Sequence, residues 1–122
     1  MQTPSTTSIP GNGNTTTIAY IILDPGKYLF FINYYPTISA AISVTTLNYN
    51  ISTALNSYTP NIINQAPIGN TTYPALSLFV LSGVLTPTVS TTYYFNASNQ
   101  YSGGSMTIGG ASNITFYAVR IG

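Results

Sequence analysis

The chain is 122 residues long, the length of one domain and enough to bury a core of its own. Its ionisable side chains other than tyrosine are Asp24, Lys27 and Arg120, with no His, Cys, Glu or Trp. That set excludes the usual zinc and iron ligands, paired carboxylates for acid–base work, an imidazole base and any disulfide, so neither an enzyme nor a cofactor is expected. A net charge of +1 leaves too few cations to neutralise a nucleic-acid backbone.

Low charge with 44% hydrophobic residues argues for a folded chain. Eleven Tyr and five Phe supply apolar area. Ser, Thr and Asn, 44 residues together, take the place of charge as solubilising groups. A surface of that kind is poorly protected against self-association and suits a protein that lives in an assembly. Residues 1–14 (MQTPSTTSIPGNGN) read as an extended arm with one isolated Ile9, and residues 1–13 lack the basic and apolar parts of a signal peptide.

Residues 15–23 (TTTIAYIIL) are β-branched and aromatic, a strand pattern. Asp24-Pro25-Gly26-Lys27 is a turn. Residues 27–35 (KYLFFINYY) predict a second strand that is apolar on both faces: Tyr28, Phe30, Ile32 and Tyr34 on one, Leu29, Phe31 and Tyr35 on the other. Such a strand needs cover on both sides, from its own core and from something else. Residues 38–47 alternate, with Ile38, Ala40, Ile42, Val44 and Thr46 on one face. Short strands are expected at 50–55 and 58–63, a loop at 67–70, and a buried strand or broken hairpin at 75–85 with its break near Ser82-Gly83. That apolar stretch is about half a membrane span. A strand at 91–97, a loop at 99–104, a short strand at 105–108 and a last strand at 113–121 complete the chain. Eight prolines and the absence of Glu argue against helix. The expectation is an all-β, antiparallel β-sandwich or jelly roll of about eight strands over residues 15–122, preceded by the arm.

The second half carries, in order, Leu81-Ser82-Gly83, the strand from Thr91 to Phe95, Ser102-Gly103-Gly104, and the closing segment from Phe116 to Gly122. In this ordered set it resembles the C-terminal heads of phage tail-fibre and capsid-decoration proteins. Residues 25–34 (PGKYLFFINY) are similar to the second strand of the same heads. The resemblance implies a jelly roll of the C1q and tumour-necrosis-factor type, assembled as a homotrimer with aromatic strands packed about the threefold axis. By carry-over, Tyr28 or Phe30, Tyr93 or Phe95, and Phe116 or Tyr117 are the trimer-interface candidates. The departure is at the N-terminus, where a tail fibre has a long stalk and this chain has about 14 residues.

Among the remaining features, Asp24 and Lys27 read as an exposed turn pair. Arg120, the sole guanidinium, is either a fork-shaped contact inside the trimer or plain surface. Five Asn-x-Ser/Thr triplets begin at Asn14, Asn50, Asn70, Asn96 and Asn113, where about three are expected by chance, and they read as accidental unless the host glycosylates. Tyr49, Tyr58, Tyr73 and Tyr101 either face a receptor or cover the sandwich. The function expected is that of a virion protein, a trimeric capsid decoration or cement protein on the capsid surface. Its arm (Thr3, Pro4, Ile9 and Pro10) would clamp neighbouring major capsid protein subunits. The alternatives are a receptor-binding tail-fibre or spike head that contacts host glycan or protein, and a subunit of a secreted filament or surface layer. No membrane insertion and no nucleic acid enter any of them.

Overall fold

The computed structural model describes residues 7–38, 42–64, 71–73, 79–108 and 114–122. In chain order the strands are β1 Thr7–Ile9, β2 Asn12–Leu23, β3 Tyr28–Tyr34, β4 Thr37–Ile38, β5 Ile42–Ser52, β6 Ile63–Asn64, β7 Thr71–Tyr73, β8 Phe79–Leu85, β9 Thr91–Ser102, β10 Met106–Ile108 and β11 Ile114–Arg120. No helix occurs among the described residues. All strand pairs are antiparallel, in sheets ordered β2-β9-β5-β6, with β7 also on β5, then β11-β3-β8, and β1-β10-β4. The two larger sheets meet face to face, an architecture compatible with a β-sandwich.

The core lies between those sheets. From β3 it takes Tyr28, Phe30, Ile32 and Tyr34, from β11 Ile114 and Phe116, and from β8 Leu81 and Leu85. Opposite stand Leu47, Tyr49 and Ile51 of β5 and Tyr93, Phe95 and Ala97 of β9. Ring contacts bridge the gap: Tyr34 lies 4.7 Å from Tyr49 and 5.1 Å from Phe95, centroid to centroid. Phe30 meets Phe116 edge-on at 6.4 Å. Tilted and edge-on pairs suit the ring quadrupoles and add about 0.5–1.5 kcal/mol each beyond area burial.

Several strands differ from the sequence pattern for identifiable reasons. Ile9 is fully buried, and β1 pairs with β10, so the end of the expected arm is a strand of the chain's own body. The expected strand at 38–47 divides into β4 and β5. A register shift between Val44 and Thr46 changes the phase within β5, so Val44 and Leu47 both reach the core, where strict alternation would separate them. The expected strands at 50–55 and 58–63 reduce to the end of β5 and to β6. Gly83 does not break β8. It pairs with Phe30, and a Cβ there would lie 2.7 Å from Ile63 Cδ1 and 2.9 Å from Phe30 Cε1. The glycine lets β3 and β6 close onto the strand. The loop expected from Asn99 is instead a continuation of β9 to Ser102. Thr3, Pro4 and the loop at 67–70 lie outside the described residues.

Candidate interaction surface

The β11-β3-β8 sheet shows its inner side to the core and its outer side to solvent. Strand register lays that outer side out in rows. Val119, Leu29 and Val84 form one row, Tyr117, Phe31 and Ser82 the next, and Thr115, Asn33 and Val80 the third. Tyr117 stacks on Phe31 at 5.3 Å with an interplanar angle of 30°. Val80, Val84, Tyr117 and Val119 remain 52%, 45%, 45% and 50% exposed. No charged residue occurs in these rows, and their polar members are one Ser, one Thr and one Asn. The four most exposed side chains present roughly 300 Å² of apolar surface between them, at the lower end of the range for the largest patch on a typical monomer.

The outer side of the other large sheet is different, because residues 53–62 are strapped across it. Asn96 Nδ2 donates to Ser57 O at 2.9 Å, and Asn96 Oδ1 accepts from Thr17 Oγ1 at 2.6 Å. Asn50 Nδ2 donates to Tyr58 O and to Asn61 Oδ1, both at 3.0 Å. Thr17 N donates to Asn56 Oδ1 and Asn56 N to Thr17 Oγ1, at 2.9 and 2.8 Å. Asn56 holds φ at 51°, a left-handed conformation that Asn tolerates better than most residues. Asn50 and Asn96 are fully buried with their amide nitrogens already bonded, so two of the five triplets present no free amide to a glycosylating enzyme in the folded state. Asn14 is exposed; Asn70 and Asn113 lie outside the described residues.

The interface candidates separate cleanly. Tyr28, Phe30, Tyr93, Phe95 and Phe116 are between 0% and 8% exposed within the single chain, packed between its own two larger sheets. Burial raises the phenol pKa of Tyr93. Tyr117 and Arg120 stand at the surface. The side of β3 that faces away from the core is that of Leu29 and Phe31, and Tyr28 and Phe30 lie on the core side. Arg120 Nε donates to Gly122 O at 3.3 Å and lies beside Gly26. Lys27 N donates to Gly122 O, Ile121 N to Lys27 O, and Gly26 N to Pro87 O. These contacts bring Lys27 and Arg120 to the same turn as Asp24, at one end of the molecule.

Of the loop tyrosines, Tyr49, Tyr58 and Tyr101 are buried or half-buried against the chain itself. Tyr49 is fully buried. Tyr58 is half-buried, its hydroxyl has no hydrogen-bond partner, and burial pushes its pKa up to about 12. Tyr101 Oη donates to Ile9 O and accepts from Met106 N, tying β1 to β9 and β10. Tyr73 pairs with Ile42 across β7 and β5. Pro10, half-buried, follows directly on buried Ile9. A polar residue that sequence reading left in a loop, Asn99, is fully buried: Oδ1 accepts from Asn48 N, and Nδ2 donates to Tyr49 Oη at 3.1 Å and to Met106 Sδ at 3.5 Å. A scan against protein-family models and a search of curated proteins return no match for this sequence.

Proposed function

We propose that this chain is a non-enzymatic structural protein of a virion, a homotrimeric decoration or cement protein of the capsid surface, whose subunits join through the outer side of the β11-β3-β8 sheet. The observation that carries the reading is that side's uncharged apolar surface, centred on the Phe31–Tyr117 stack. A second copy of the chain is the occupant it fits. An interface of standard size hides about 800 Å² on each partner, apolar at the centre and polar at the rim. The valines and the ring stack supply such a centre, and Thr115, Asn33 and Ser82 part of the rim. The rows offer no charge to attract an ionic partner, and a second copy is equally neutral.

The nested strand pairing supports a jelly roll. β2 pairs with β9, β3 with β8, and β5 with β6, as when a long hairpin is rolled up on itself. Threefold closure follows from the resemblance of the second half to phage heads. It uses heterologous contacts around a ring, so each subunit presents the joint to two neighbours. A closed trimer multiplies a weak contact with the major capsid protein threefold, so avidity exceeds a single subunit's affinity. With so few charges, both joints depend little on salt. Sedimentation equilibrium of the purified chain at low and high salt tests this: a trimer at both is expected, and a monomer at both overturns it.

A further inference from the structure

We propose that Asn12 is a site of spontaneous deamidation in the folded protein, giving the chain a slow, irreversible gain of negative charge. Asn12-Gly13 is the one Asn-Gly pair in the sequence. The reaction needs the Gly13 nitrogen to reach the Asn12 side-chain carbon, and a following glycine is the residue that obstructs this least. In most folded settings a rigid strand prevents the approach. Here the backbone is irregular at the required place. The β2–β9 register slips between Asn12 and Thr15, so Gly13 and Asn14 bulge from a strand at the edge of its sheet. Gly13 holds φ at 87°, and Asn12 is exposed. Asn12 Oδ1 accepts from Asn14 N at 3.0 Å. That Asx turn folds the side chain forward over the Gly13 peptide, the direction in which the ring must close.

The chemistry balances with water alone. The Gly13 nitrogen loses its proton and bonds to Asn12 Cγ, the amide leaves as ammonia, and a five-membered imide remains. Water then opens the imide at either carbonyl, giving aspartate or isoaspartate. Either product takes the formal net charge from +1 to zero, a large relative change in so neutral a chain. The two products differ in structure. Aspartate keeps the acceptor for Asn14 N and so keeps the turn. Isoaspartate adds a methylene to the backbone, which spoils the Asn12↔Gln100 pairing and loosens the link from β1 to β2.

The test is incubation of the folded protein in mildly alkaline buffer, followed by native isoelectric focusing, peptide mass mapping and enzymatic methyl labelling of isoaspartate. The expected result is a new acidic band whose modified peptide contains Asn12, absent in Asn12→Gln and co-migrating with freshly made Asn12→Asp. Asn12 is exposed, so neither variant disturbs the core. An acidic band that persists in Asn12→Gln overturns the proposal. So does a folded chain that stays unmodified while the same chain in denaturant reacts.

Discussion

Replacing Asn96 by Ala is expected to release the strap over the larger sheet. The wild-type side chain is fully buried and makes two hydrogen bonds, to Ser57 O and from Thr17 Oγ1. Each is worth about 1 kcal/mol net, and stranding a buried partner adds about 1–3 kcal/mol. Thr17 Oγ1 still accepts from Asn56 N in the variant, so its loss is partial. Ser57 is half-exposed, so water can reach its carbonyl. The expected cost is therefore about 2–4 kcal/mol, a drop in Tm of roughly 8–16 °C for a domain of this size. Urea denaturation of Asn96→Ala beside wild type measures it, with Asn14→Ala as the control. Asn14 begins the same type of triplet but is exposed, so its change should stay within about 0.5 kcal/mol. Equal, small losses in both variants would refute the idea that buried asparagines hold residues 53–62 in place.

Three further outcomes follow from single contacts. Gly83→Ala inserts a Cβ against Ile63 Cδ1 and Phe30 Cε1, and the overpacking should cost about 1–3 kcal/mol in a denaturant titration. Tyr101→Phe removes the hydroxyl that holds Ile9 O and Met106 N, and hydrogen exchange at β1 and β10 should quicken with little change in the aromatic core. Stability should be nearly flat through mild acid, because the chain has one side-chain carboxylate and no histidine. It should fall in alkali. Tyr58 and Tyr93 have raised pKa values, so the folded state keeps protons that the unfolded state releases. Stability is then full below the ordinary phenol pKa of about 10 and declines as pH rises toward the folded value of about 12 at Tyr58. Thermal melts across that range check the sign.

The all-β class was legible because β-branched and aromatic runs are separated by Pro and Gly turns, and β3 in particular reads directly from residues 28–34. The two-sided apolarity of β3 was legible too. Which side is the core was not, because Phe30 and Phe31 look alike in sequence. The choice depends on where β5 and β9 lie, which is fixed by pairings far apart along the chain. The same limit explains Ile9 and Asn99, which read as arm and loop because their burial depends on β10 and β5. The bulge in β5 leaves no mark in a run of Thr and Val, and it shifts every later side chain to the other phase. Gly83 looked like a break because a glycine that admits a neighbouring side chain and one that ends a strand are the same letter. The placement of Arg120 beside Gly26, in the turn that runs from Asp24 to Lys27, joins residues far apart in the sequence, and no local pattern announces it.

The joint through the outer side of β11-β3-β8 is the claim on which the functional account turns, and sedimentation velocity of a Val84→Lys, Val119→Lys double variant beside wild type tests it most directly. Both valines are about half exposed and point away from the core, so the isolated subunit should keep its fold and its Tm. The account predicts a trimeric wild type and a folded, monomeric variant. A variant that sediments as wild type does, or a wild type that is monomeric to begin with, would contradict it.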